Sequence, residues 1–256
     1  MLKKQERKII FEKFRYYVTS NIFSSFSRNM CNKFIIYLDE IIKWNSITNL
    51  ISFKNETNLI YRHFCDSLYA IKIIRSLTSV NLNKINIIDI GAGVGMPSIP
   101  VQIVLTKNVL TVIESIAKKC TFLNFINNKL QLNMMILNER AEKIGKNVIY
   151  RQQYDFVLSR AVSKFSPNLE FAIPLLKVGG YFLVYKTRNS LASEKDGIAS
   201  INNALKQLGA KLYKIIDYNL PEQKKDIQYC IVVFIKDRIT PHKFPRKIGI
   251  PEKKPL

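Results

Sequence analysis

Histidine is almost missing from this chain, with two residues in 256, and cysteine is sparse. Cys31, Cys65, Cys120 and Cys230 lie far apart and form no C-x-x-C pair. Those two shortages exclude a zinc site of the usual His/Cys spacing and a disulfide framework, and they fit a reducing compartment. There is no apolar run long enough to span a bilayer. The charged start, Met1 to Lys8, is not that of a secretory signal, so a cytoplasmic protein with no membrane partner is expected. Acid is scarce as well: 19 Asp and Glu stand against 40 Lys and Arg, a formal charge of +21. Such an excess favours a polyanionic partner, nucleic acid first and an anionic membrane surface second, with a generally basic surface as the plainer reading. The single tryptophan, Trp44, suits packing better than base stacking. Glycine is rationed to nine residues, which makes its one local concentration informative.

That concentration is Asp89-Ile90-Gly91-Ala92-Gly93-Val94-Gly95, preceded by the apolar run Ile85 to Ile88 and followed by Pro97 and another apolar stretch. It reads as a buried strand, a glycine loop and a helix opening at proline. The spacing is not the G-x-G-x-x-G of dinucleotide-binding loops. D-x-G-x-G-x-G resembles the first motif of S-adenosylmethionine-dependent methyltransferases, where bare backbone meets the cofactor. The plainer alternative is a tight turn between strand and helix.

Residues before about 80 read as helices. Leu38, Ile41 and Ile42 form a stripe that Asn45 and Asn49 continue at four-residue steps, as helix caps or as a polar end reaching a ligand. His63 and Asp66, three residues apart, would share a helix face, and Arg62 and His63 could face RNA. A Ser/His/Asp hydrolase is a poor reading, because no G-x-S-x-G elbow exists. Beyond residue 85 strands and helices alternate. Val109 to Ile113 is a second strand closing on Glu114, about twenty residues past the glycines, where an acid can accept from ribose hydroxyls. Ser115 is placed to cap the next helix. Met134–Leu137, Tyr154–Ser159, Tyr181–Lys186, Leu212–Ile216 and Tyr229–Ile235 complete seven strands, the last antiparallel. Gly179-Gly180 is expected to turn before the fifth strand, Ile198 and Ile201 to begin a later helix, and Gly209 to stop it. Arg160, at the carboxyl end of the fourth strand, faces the ligand cleft of an open α/β sheet or a surface ion pair. The tail from Asp237 holds four of nine prolines, so neither helix nor central strand is expected there. Its cations suit a phosphate chain, and a solvated tail has the same composition.

Taken together, these segments resemble the ribosomal RNA small subunit methyltransferase G family, also called glucose-inhibited division protein B. The resemblance is carried by Trp44-Asn45 with Asn49-Leu50, Arg62-His63 with Asp66-Ser67-Leu68, Asp89 to Pro100, Arg140-Ala141-Glu142 and Ser159 to Val162. Thr240-Pro241, Phe244-Pro245-Arg246, Gly249-Ile250-Pro251 and Lys253 to Leu256 extend it through the tail. It implies an α/β, Rossmann-like class I methyltransferase fold, a seven-stranded mostly parallel sheet with an N-terminal helical extension. The expected division is an extension over 1–80, a methyltransferase domain over 81–238 and a basic proline-rich tail over 239–256.

The implied activity is transfer of a methyl group from S-adenosylmethionine to N7 of a guanine in the decoding-region loop of 16S rRNA. The product is S-adenosylhomocysteine and no metal is involved. Gly91, Gly93, Met96, Glu114, Ala141, Glu142 and Arg160 are the cofactor candidates. Arg62, His63, Lys186, Lys243, Arg246, Lys247, Lys253 and Lys254 are the RNA candidates. Guanine N7 needs no general base, so no catalytic residue is assigned; the resemblance offers His63 and Asp66 as positioning residues. A monomer acting on the small ribosomal subunit is expected. Two departures from the family pattern stand out: Thr187 follows Lys186 where glycine is usual, and Glu139 replaces the glycine before Arg140. Alternatives are a methyltransferase for protein or a small molecule, and a non-catalytic RNA-binding protein. Strand four lacks the Asn/Asp-Pro-Pro-aromatic motif of amine methylation, and no cysteine near strands four and five suits a carbon-5 mechanism.

Overall fold

Short runs rich in isoleucine, leucine and valine build the sheet. The computed structural model describes residues 3–78, 82–160, 164–193, 201–221 and 227–256. Among these are seven strands: β1 (Ile87–Ile90), β2 (Leu110–Ile113), β3 (Met134–Leu137), β4 (Tyr154–Arg160), β5 (Leu176–Thr187), β6 (Ala210–Tyr218) and β7 (Tyr229–Lys236). They form one sheet in the order β3-β2-β1-β4-β5-β7-β6. The first five are parallel, and β7 runs antiparallel between β5 and β6. Successive side chains point to opposite faces. Phe156 and Leu158 of β4, with Ile231 and Val233 of β7, enter one core. Val157, Val232 and Phe234 enter the other.

The first core lies under the N-terminal helices α1 (Lys4–Asn21), α2 (Arg28–Thr48) and α4 (Asp66–Leu77), with α5 (Ser98–Val104) and α6 (Ala117–Lys129). Phe14, Phe26, Phe34 and Phe64 interlock there at centroid separations of 5.1–6.4 Å. Between α2 and α4 the chain makes a single turn, α3 (Glu56–Asn58), then a π-helix over Leu59–Cys65. Asn55 Oδ1 caps the start of α3 by accepting the Asn58 N–H. The second core is covered by α7 (Ala141–Lys146), α8 (Phe165–Ala172), α9 (Arg188–Ser193), α10 (Asn202–Leu208) and the tail, which contains α11 (Ile250–Lys253).

Several local expectations change. Gly179 and Gly180 lie inside a 12-residue β5, where they bulge out between the pairs Tyr154–Leu176 and Phe156–Tyr181. Ser115 is exposed and caps nothing; α6 follows Ile116, whose N–H goes to the Glu114 carboxylate. Asn45 and Asn49 are capping residues: Asn45 Oδ1 accepts the Ile51 N–H, and Asn49 closes α2 at φ 47°. Trp44 packs against Phe122 and Phe125. The tail is a folded element that contains a helical turn, contrary to its proline content. Phe244 and Pro251 are buried. Arg151 donates to the carbonyls of Gly145, Thr240, Pro241 and Phe244, so one buried cation binds α7 to the tail. The boundary expected between 80 and 81, and Ala161, Val162 and Ile198, lie outside the described residues.

Candidate active site at the carboxyl edge of the sheet

The glycine loop leaves β1 at the centre of the sheet, and its three glycines do different jobs. Gly91 donates its N–H to the Ile113 carbonyl at 2.8 Å, tying the loop to β2. A Cβ on Gly95 would stand 2.3 Å from Ile99 Cδ1, so this glycine lets α5 pack against the loop. Gly93 has φ +64° and a Cβ there would meet nothing within 4 Å. Open space lies in front of it, and its conformation is one that side chains disfavour. Tyr37 of α2 donates to the Val94 carbonyl at 2.8 Å, so the helical extension steadies the loop from behind.

Two carboxylates hold this loop. Glu114, buried at the end of β2, accepts the Gly93 N–H at 2.9 Å through Oε2 and the Ile116 N–H at 2.8 Å through Oε1. Asp89 is wholly buried. Its Oδ2 accepts the Ser98 N–H at 3.2 Å, and its Oδ1 has no partner. Burial pushes the Asp89 carboxyl up to about 7, against the pull of Ser98. Beside Gly91 a cavity of about 220 Å³ opens, lined among others by Ser115, Ala141, Glu142, Phe171 and Glu252. Glu142 is buried and accepts the Gly249 N–H at 3.0 Å. Phe171 and Glu252 carry no sequence signal for this place; α8 and the folded tail bring them there. Glu139, which departs from the family pattern, also lines the cavity and pairs with Lys143 at 2.9 Å.

On the other side of the loop, four distant segments meet at Arg160. Its Nε pairs with Asp66 Oδ2 at 2.8 Å, and Nη2 lies 3.0 Å from His63 Nδ1. Nη1 reaches the Met96 sulfur at 3.7 Å. Asp66 takes a second hydrogen bond from the Tyr218 hydroxyl, and Tyr185 donates to the Ser67 carbonyl at 2.8 Å. Burial and the adjacent Arg160 and Arg62 charges lower His63 to about 3, so its ring is neutral. The i, i+3 spacing of His63 and Asp66 places both on this arginine. Tyr218 and Tyr185, which complete the arrangement, are ordinary strand residues in the sequence.

The RNA candidates divide by environment. Arg62, Lys243, Lys247, Lys253 and Lys254 are exposed. Lys186 Nζ lies 4.5 Å over the Phe165 ring and Lys243 Nζ 5.1 Å over Phe244. Arg246 is committed inward: its backbone and guanidinium nitrogens make hydrogen bonds of 2.6–3.0 Å to the fully buried Glu170. Lys243 and Lys247 instead line a groove of about 1190 Å³ with Lys143 and Lys146 of α7, next to the cavity at Gly91. Among the described residues no cluster of His, Cys, Asp and Glu could hold a metal ion. None of the described helices is long and apolar enough to cross a membrane.

A sheet of this order, with a glycine loop after β1 and an acid closing β2, is the class I S-adenosylmethionine-dependent methyltransferase fold. A candidate sarcosine dimethylglycine methyltransferase from Galdieria sulphuraria shares the fold, with a TM-score of 0.52 and 12% identity, covering 78% of this chain and 98% of that one. The chain belongs to the rRNA small subunit methyltransferase G family, whose pattern matches residues 30–218. A ribosomal RNA small subunit methyltransferase G from Lysinibacillus sphaericus is 36% identical over 231 residues, 90% of this chain and 92% of the relative. The protein of the same name from Fusobacterium nucleatum is 37% identical over 233 residues, 91% of this chain and 94% of its own length.

Proposed function

We propose that this protein transfers a methyl group from S-adenosylmethionine to N7 of a guanine in the decoding-region loop of bacterial 16S rRNA. Its partner is the small ribosomal subunit, and it works in the cytoplasm as a monomer. The names of the relatives support the rRNA substrate. The observation that carries the cofactor reading is the open space before Gly93, whose N–H lies 2.9 Å from the Glu114 carboxylate. The unpartnered, buried Asp89 Oδ1 at the same loop fits a ligand that brings its own donors.

When bound, the cofactor supplies a methyl group carried on a sulfonium. Gly91, Gly93, Glu114, Ala141 and Glu142 suit its adenosyl end, and Met96 and Arg160 its methionine end. Guanine N7 carries an in-plane lone pair and no proton, so the residues need only align the acceptor. A neutral His63 and an Arg160-bound Asp66 agree with that: neither is arranged as a general base. Carbon-5 methylation is disfavoured. Cys65 is the cysteine beside Asp66, and burial pushes its thiol well up, away from the thiolate a nucleophile needs.

The test is direct. Purified protein, S-adenosylmethionine and small subunits lacking the modification should give one new aniline-sensitive site after reduction, and none without cofactor. Gly93→Asp, which puts an acid into the open space, should abolish labelling while the fold persists. Methyl label in rRNA without strand cleavage would refute N7, and label entering only protein would refute RNA.

A further inference from the structure

The ring nitrogen of His63 that faces Arg160 sits 3.0 Å from a group that can only donate. A guanidinium has no lone pair to offer and does not lose its proton in proteins. That nitrogen must therefore accept, and the single proton of the neutral ring must sit on the other nitrogen. Arg160 cannot rotate out of this role easily, because Asp66 holds its Nε at 2.8 Å and the Tyr218 hydroxyl holds Asp66. Asp66 and Tyr218 are positioning residues for the imidazole, acting through Arg160. The outer nitrogen of His63 has no partner among the described residues, and the ring is only half-buried. The proton-bearing nitrogen of His63 thus lies on the edge of the ring away from Arg160, the arginine whose Nη1 reaches the Met96 sulfur at 3.7 Å.

We propose that this outward N–H of His63 recognises the acceptor guanine by donating to its O6, which sets the ring with N7 open to the methyl group. The inference rests on the guanine-N7 reading above. On the Hoogsteen edge of guanine both N7 and O6 are acceptors, whereas adenine presents an amino donor at the position of O6. A fixed donor at that point pairs with guanine and meets adenine with N–H against N–H. Sites built on a directed hydrogen bond discriminate strongly, because the wrong base leaves a polar group unpaired. The absence of charge on His63 has its own use. Methylation at N7 turns the guanine ring into a cation, and an imidazolium pressed against it would oppose the product. Burial, with the adjacent Arg160 charge, keeps the donor neutral.

The tautomer is checked without any cofactor by nitrogen NMR of protein carrying labelled histidine, with His242→Gln used to assign the two rings. His63 should stay neutral from pH 5 to 8 with its proton on one nitrogen only. A ring that titrates near the ordinary histidine value overturns the proposal. On small subunits lacking the modification, His63→Ala should lower kcat/KM by roughly tenfold to a hundredfold, the range expected for a directed hydrogen bond lost at a buried site. The cofactor Kd, measured by calorimetry, should not move. His63→Gln, which restores an N–H at similar reach, should recover most of the rate, and it also guards against a folding defect in the alanine variant. A wild-type rate in His63→Ala, no rescue by glutamine, or a weakened cofactor Kd large enough to explain the loss each assigns His63 elsewhere. If the methylated atom is not N7, the reading of function fails first; the NMR result stands or falls separately.

Discussion

Asp89 illustrates how one buried acid links a motif to a measurable property. Its carboxyl is raised by burial and by the Glu114 charge, and lowered by the Ser98 N–H and by Arg160. Its ordinary value is 3.8 and its value in the folded protein is about 7, so folding takes up a proton between these limits. The resulting stability is complete below about pH 4 and is lost as the pH rises through about 7. Asp89→Asn removes the charge and keeps the shape. Relative to the wild type, its unfolding free energy should improve on the order of 2 kcal/mol between pH 5 and pH 8. Urea unfolding at the two pH values tests this, and because only the difference between proteins is compared, titrating groups common to both cancel. A parallel pH dependence in the two proteins would mean that Asp89 is ionised throughout. Gly93 and Gly95 make a related point. They are alike in the sequence and sit two residues apart, yet one faces open space and the other faces Ile99.

The tail is the element whose behaviour departs most from its composition. Proline and lysine imply a solvated strap, but Arg151 holds it through four carbonyls and Glu170 holds it through Arg246. Deleting residues 241–256 would therefore disturb α7, α8 and the Gly91 cavity together, and is a poor test of RNA binding. The sharper experiment is a pair of substitutions. Arg246→Ala leaves the wholly buried Glu170 carboxylate with only the backbone N–H of residue 246 and should destabilise the protein by about 3 kcal/mol. Glu170→Gln leaves Arg246 still partly in water and should lose less. Combining Arg246→Met with Glu170→Leu should recover much of the loss, since apolar groups of similar volume replace a buried pair well. Denaturant titrations of the three variants give the order; equal losses in the two single variants would show that Glu170 reaches solvent.

Across the whole molecule, the helical extension and the sheet share one core, and the extension supplies Tyr37 to the glycine loop and His63 and Asp66 to Arg160. The chain carries a net charge of +21, and the lysine-lined groove between α7 and the tail adjoins the cavity at Gly91. RNA affinity should fall steeply with salt. Replacing Lys143, Lys243 and Lys247 together by alanine should reduce the log–log salt slope by about 2 units, at roughly 0.7 per phosphate contact on single-stranded RNA. Calorimetric cofactor affinity should be unaffected. An unchanged slope would move the RNA to another face.

Much of this is legible in the sequence alone. Isoleucine-rich runs, the glycine loop, the acid about twenty residues beyond it and the asparagine caps depend on interactions within a few residues of chain, and those leave a period or a spacing behind. The order β3-β2-β1-β4-β5-β7-β6 was not legible, because alternating strands and helices fit more than one doubly wound order. What could not be read is where separate segments converge. Tyr218 and Asp66 are 152 residues apart, and His63 and Arg160 are 97 apart. No local pattern marks Tyr218 or Arg151, because their roles arise only when the sheet sets β6 and β7 beside β5 and the tail folds back over α7 and α8. Burial then turns ordinary side chains into committed ones: an arginine in the tail becomes the partner of Glu170, and a histidine beside an arginine becomes a neutral donor with one direction.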